Sequence, residues 1–158
     1  MKSVGTWAAL AAWVGLCFAV AGLGARYAPG PDYAALLKPS WTPPPGVFPP
    51  VWTTLYLMMA VAAWLVWQRF GFRGAPAALA LFLGQLTLNA LWSWLFFGLQ
   101  RRGLALVDVG LLWVLIALTL AAFWRRSVPA GALLIPYLAW VTFAVALNFA
   151  IWRLNMAP

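Results

Sequence analysis

An all-α integral membrane bundle of five transmembrane helices is the fold class this sequence predicts, and three observations predict it. Apolar residues make up 66% of the 158 and charged residues only 8%, whereas soluble domains run near half and a quarter. The twelve charges, ten basic and two acidic, leave uncharged stretches at 3–25, 39–68, 74–100 and 127–152, and 103–124 is interrupted only by Asp108. Each stretch exceeds or matches the roughly 20 residues a helix needs to cross about 30 Å of hydrocarbon. A β-barrel would instead show short alternating segments.

Helix one is expected over 5–25. Lys2 before an apolar stretch resembles a signal peptide, but the stretch reaches Ala25 and is longer than an h-region, so it reads as a retained helix. Helices two to five are expected over 47–68, 77–98, 104–124 and 130–152. The connections Arg69 to Pro76, Arg101 to Gly103 and Arg125 to Pro129 are short, which predicts that helices two to five pack as antiparallel neighbours. The first connection, 26–46, differs: Pro29, Pro31, Pro39, Pro43, Pro44 and Pro45 stiffen it without making a regular element, as suits a lid. Residues 1–158 thus form a single transmembrane domain with no room for a soluble module.

A formal charge of +8 raises the question of nucleic acid. The basic residues cap hydrophobic segments instead of forming one surface, so lipid-headgroup anchoring explains them and no nucleic-acid partner is expected. Lys2, Arg69, Arg73, Arg125 and Arg126 fall on one side of the bundle and Arg26, Lys38, Arg101, Arg102 and Arg153 on the other, so charge assigns no orientation. The single cysteine, Cys17, has no intrachain partner, and the absence of histidine removes the commonest metal ligand, so neither a metal site nor a required cofactor is expected.

Twelve tryptophans are a large excess. Trp7, Trp67, Trp124 and Trp152 lie near span ends and read as interfacial belt residues. Trp52, Trp92, Trp94, Trp113 and Trp140 lie deeper, where an indole N–H needs a partner, either across helices or in a cavity. Among the polar residues inside the spans, Gln85, Asn89 and Ser93 (or Trp92) share one face of helix three. Trp52 and Tyr56 take the same four-residue step on helix two, and Pro136, Trp140 and Asn148 follow one face of helix five, where Pro136 allows a kink. The three faces either enclose a polar-tipped aromatic pocket or hydrogen-bond to one another without a ligand. Asp108, the acid inside helix four, has no second titratable partner for a proton relay and reads as structural, just past Arg101 and Arg102. Small pairs at Ala11/Gly15, Gly15/Ala19 and Ala80/Gly84 permit close helix approach or dimerisation.

The run Lys38-Pro39-Ser40-Trp41-Thr42-Pro43-Pro44, then Val47-Phe48-Pro49-Pro50-Val51-Trp52-Thr53-Thr54-Leu55-Tyr56, then Gln85 with Asn89, Trp92-Ser93 and Phe96-Phe97-Gly98, resembles the translocator protein family, also called the tryptophan-rich sensory or TspO/MBR family. Pro136-Tyr137-Leu138-Ala139-Trp140-Val141, Ala146-Leu147-Asn148 and Trp152-Arg153-Leu154-Asn155 continue the resemblance, which spans essentially the whole chain. It implies a five-helix bundle, commonly a homodimer, whose central pocket takes porphyrins of the protoporphyrin IX type and hydrophobic aromatic ligands beneath the first loop. Carried over by motif, Trp52 and Trp140 are the tryptophans of ligand contact and light-driven porphyrin degradation, Asn89 the polar contact, and Tyr56, Trp41, Trp92 and Asn148 further lining or closing residues. Two departures stand out: Trp94 replaces the proline often found after Trp-Ser, and Phe149 and Trp152 precede Arg153 where the family's sterol motif wants a tyrosine. The implied function is a membrane receptor or sensor for tetrapyrroles, with secondary transport of porphyrins or sterol-like lipids as the alternative. Transporters often show inverted repeats, and five unpaired spans show none.

Overall fold

The computed structural model describes residues 2–27 and 29–156; the side chains of residues 2–4, and with them the expected anchor Lys2, lie outside the described part. In chain order the helices are α1 (Lys2–Ala25), α2 (Pro31–Ala35), α3 (Phe48–Gly74), α4 (Pro76–Ser93), α5 (Arg102–Trp124), α6 (Val128–Ala132) and α7 (Ile135–Leu154). A 3-10 turn at Pro45–Val47 leads into α3, so the first connection, expected to hold no regular element, carries both α2 and this turn because proline fits the first turn of each; a π-helical turn at Trp94–Gly98 follows α4. Five segments are long and apolar enough to cross a membrane: Gly5–Ala25, Pro45–Gly74, Pro76–Gly98, Arg102–Trp124 and Val128–Leu154. The chain is an integral, multi-pass membrane protein built as a helical bundle.

Proline and glycine set most of the boundaries. Pro49 and Pro50 occupy the first turn of α3, where a missing amide donor costs nothing. The helix then runs beyond the expected 68 to Gly74, and Gly71, at φ 64°, turns the chain out of helical geometry in a way only glycine adopts readily. After α4 the backbone widens into the π turn, with the Leu99 amide donating to the Trp94 carbonyl at 2.7 Å. The end of the third span therefore departs from α geometry without a proline. The fifth expected helix is two helices. Pro136 has no amide to donate and its ring crowds the carbonyl four residues back, so the helix breaks at Leu133 and Leu134 instead of merely kinking. Ser127 caps α6, its hydroxyl accepting from the Ala130 amide at 3.4 Å. Gly131 is required there, because a Cβ would sit 2.8 Å from the Trp124 Cα.

The helices close into a ring in which α1 packs against both α3 and α4, α4 against α5, α5 against α6 and α7, and α3 against α6 and α7. Helices two and three of the sequence reading, α3 and α4, meet as expected. Beyond their short connection they touch in the bundle interior, where Tyr56 reaches Asn89, and α1 packs along both. The buried side of α3 carries Ala60, Ala62 and Ala63 at zero exposure, small enough for neighbouring backbones to approach closely. Around them Phe82 stacks on Phe123 at 5.8 Å and receives the edge of Trp13 at 5.7 Å. A smaller cluster of Phe96, Ala105, Leu147 and Ile151 forms nearer the first loop, with Phe48 and Phe143 packed against it. Between lipid-facing helices such contacts stabilise by packing, since lipid is as apolar as the side chains themselves.

Candidate functional site

At the centre of the bundle three helices meet through a chain of hydrogen bonds. The Tyr56 hydroxyl donates to Asn89 Oδ1, Asn89 Nδ2 donates to the Tyr137 hydroxyl at 2.9 Å, and Tyr137 donates to Gln85 Oε1 at 2.7 Å. Gln85 Nε2 in turn faces Met59 Sδ at 3.8 Å. Gln85 and Asn89 are one turn apart on α4, so both reach toward Tyr56 on α3 and Tyr137 on α7. All four are buried, where an unpaired polar group would be costly. Asn89 has two amide hydrogens, and this chain uses one of them. Spacing alone does not single out Tyr137; the available signal is a tyrosine inside an apolar span, whose hydroxyl must find a partner.

Nearer the first loop, Trp92 and Asn148 form a clamp. Trp92 Nε1 donates to Asn148 Oδ1 at 3.0 Å, and Asn148 Nδ2 donates to the Arg102 carbonyl at 3.1 Å. The clamp joins α4, α7 and the start of α5, while the Trp92 ring stacks on Phe96 at 5.0 Å. Both polar side chains are thereby engaged with the protein itself.

A third group is aromatic and open. Trp52 lies 5.7 Å from the Tyr56 ring and edge-on to Tyr137 at 6.4 Å. Trp140 meets Phe48 at 5.8 Å and Phe143 at 5.4 Å, and Trp41 reaches Phe143 edge-on from the loop at 5.7 Å. Phe48 and Trp52 are one turn apart on α3, as are Tyr137 and Trp140 on α7, so the rings form one run along the α3–α7 seam up to the loop. Trp52 and Trp140 are half-buried, Trp41 is 48% exposed, and neither the Trp52 nor the Trp140 N–H has an acceptor among the described residues. The loop is tied to the C-terminal end of α7: the Leu37 amide donates to Asn155 Oδ1 at 3.0 Å and Asn155 Nδ2 returns to the Leu37 carbonyl at 2.9 Å.

The seven residues singled out from sequence thus fall into separate groups: Tyr56 and Asn89 in the central chain beside Trp52, Trp140 and Trp41 along the seam, Trp92 and Asn148 in the clamp. Pro136 does not share the inner face with Asn148; it is exposed and, with Pro50, Thr54 and Met58, borders an apolar groove of about 320 Å³ open to the outside. Trp113 donates to Thr142 Oγ1 at 2.8 Å on the outer surface. Asp108 is buried with Oδ2 unpartnered and makes no ion pair with Arg101 or Arg102. No group of three metal-ligating side chains occurs among the described residues.

A family model described as the TspO/MBR family matches residues 9–153. The tryptophan-rich protein TspO of Chlorobaculum tepidum is 47% identical over 153 residues, covering 92% of this chain and 95% of its own. The tryptophan-rich sensory protein of Cereibacter sphaeroides is 42% identical over 149 residues, with 94% and 92% covered. The translocator protein of Homo sapiens is 44% identical over 138 residues, covering 84% of this chain and 82% of the human one.

Proposed function

Because this chain belongs to the TspO/MBR family, we propose that it is a membrane receptor or sensor that binds porphyrins of the protoporphyrin IX type and hydrophobic aromatic ligands along the α3–α7 seam. The observation that carries this reading is the contrast in hydrogen bonding: Trp52 and Trp140 present half-buried rings with free N–H groups, while Trp92, Tyr56, Asn89 and Asn148 are bonded to the protein. A flat, largely apolar macrocycle is suited to aromatic walls with few polar groups. Its carbonyl or carboxylate oxygens are matched by the two indole donors and the second amide hydrogen of Asn89. Light-dependent degradation of the bound porphyrin, with Trp52 and Trp140 as redox-active indoles, belongs to the same proposal. Trp41 covers the site from the proline-rich loop, which Asn155 straps to α7.

The relatives' names speak of sensing and of translocation. Sensing is the better-supported role here, since the seam carries an aromatic contact surface and five unpaired spans carry no inverted repeat. A homodimer is part of the proposal: α1 directs Ala8, Ala11, Gly15, Ala19 and Gly22 outward, and a Cβ on Gly15 or Gly22 would meet nothing within 4 Å. Titration of the detergent-purified protein with protoporphyrin IX, followed by tryptophan fluorescence, tests the binding. Saturable quenching that shrinks in Trp52→Phe/Trp140→Phe supports the seam, and quenching identical in the two proteins refutes it. Flux across proteoliposomes separates transport from binding.

A further inference from the structure

We propose that a second site, at the loop end of the bundle and separate from the aromatic seam, binds an oxyanion of the phosphate class. A hollow of about 250 Å³ opens there between the end of α1, α2, the π turn and the start of α5. Its polar walls are Arg26, Tyr27, Asp32, Tyr33, Gln100 and Arg102, and Phe96 and Phe97 form the apolar side toward the clamp. The volume falls below the roughly 300–1,000 Å³ of drug-sized sites and suits a headgroup or a hydrated anion, not a macrocycle.

The charge arrangement selects the sign of the ligand. Two guanidinium groups line a space with one carboxylate, and that carboxylate is already engaged, Asp32 Oδ2 accepting from Gln100 Nε2 at 2.8 Å. No ion pair forms among the described residues, so neither arginine is in direct contact with Asp32, and the two guanidinium charges exceed the one carboxylate. Arg102 Nε is buried without an acceptor, an arrangement that leaves a charged donor unsatisfied. A planar guanidinium suits a phosphate or other oxyanion, to which it offers parallel donors. Arg102 also opens the long helix α5, whose first amides add positive potential on the same side. The Tyr33 phenol is shifted above its ordinary range by burial, so it stays protonated and able to donate.

The anion has two possible sources, a phospholipid headgroup or free phosphate, because the hollow lies at the end of the spans, at the expected depth of the headgroups. Delipidated protein in neutral detergent is titrated, under native mass spectrometry, with short-chain phosphatidylglycerol, with inorganic phosphate and with a sugar-headed neutral lipid of equal chain length. Phosphatidylglycerol is expected to bind, with affinity falling at least about tenfold in Arg26→Gln/Arg102→Gln and unchanged in Arg125→Gln/Arg126→Gln at the opposite membrane face. Asp32→Asn, which removes the one carboxylate among the described residues of the hollow, is expected to tighten binding several-fold, and it decides the matter should the double arginine variant fail to fold. Competition by inorganic phosphate assigns the site to free oxyanions as well; its absence assigns it to headgroups. Equal binding of the charged and sugar-headed lipids, or binding insensitive to both the arginine pair and Asp32, overturns the proposal.

Discussion

Trp92 and Trp140 are both half-buried indoles near the same end of the bundle, and each contacts phenylalanine rings, yet they differ in one respect. The Trp92 N–H is closed on Asn148, which is closed in turn on the Arg102 carbonyl. The Trp140 N–H meets no acceptor among the described residues, and its ring neighbours are Phe48 and Phe143, which offer none. In a low-dielectric interior a closed network stiffens the helices it joins, whereas an open donor on an aromatic wall remains available to a guest. Two tryptophans that read alike in the sequence thereby differ in the structure: one is bonded into the bundle, and the other keeps the open donor that the proposed function uses for recognition.

The sharpest way to break this contrast is at the clamp. Asn148→Leu or Trp92→Phe leaves a buried partner unsatisfied and should cost about 1–3 kcal/mol of stability, read as a lower melting temperature in detergent, with porphyrin affinity essentially unchanged. Asn89→Ala sits between the two classes. It frees the Tyr56 hydroxyl and removes a donor from the site, so thermal stability and affinity for carbonyl-bearing aromatic ligands should both fall, each by about 1–2 kcal/mol; a change in stability alone would move Asn89 wholly to the structural side. Replacing Pro43, Pro44 and Pro45 with glycine should raise the ligand off-rate several-fold and leave the on-rate nearly constant, because the looser cover opens more often over an unchanged seam. Stopped-flow mixing reads both rates. Asn155→Ala, which removes the two bonds to Leu37, should act in the same direction but more weakly, by about a factor of two to five for an exposed tether worth about 0.5–1 kcal/mol.

Much of this was legible before the structure. The spacing of twelve charges locates five spans, and the Pro-rich 26–46 stretch marks the one long connection. The four-residue step from Gln85 to Asn89 correctly puts both on one inward face. What escapes the sequence is which faces meet. Tyr137 completes the central chain only because α7 is rotated to bring it opposite Asn89, and the break at Leu133 and Leu134, driven by Pro136, sets that rotation apart from the helix before it. The clamp was equally hidden, since its third member is a main-chain carbonyl, a group that every residue carries and no side-chain pattern can flag. Asp108 shows the converse: the nearby arginines suggest compensation, but neither forms an ion pair with it and the carboxyl keeps an unpartnered oxygen.

The most direct test illuminates purified protein with bound protoporphyrin IX and follows the products over time in three proteins: the parent, Trp52→Phe/Trp140→Phe, and Trp92→Phe. Phenylalanine keeps an aromatic wall but loses the indole's N–H and redox chemistry. The seam assignment predicts that photoproduct formation is lost in the double variant, with binding only moderately weakened, and persists in Trp92→Phe. Photoproduct formed at the parent rate by the double variant, or lost in Trp92→Phe alone, would contradict it.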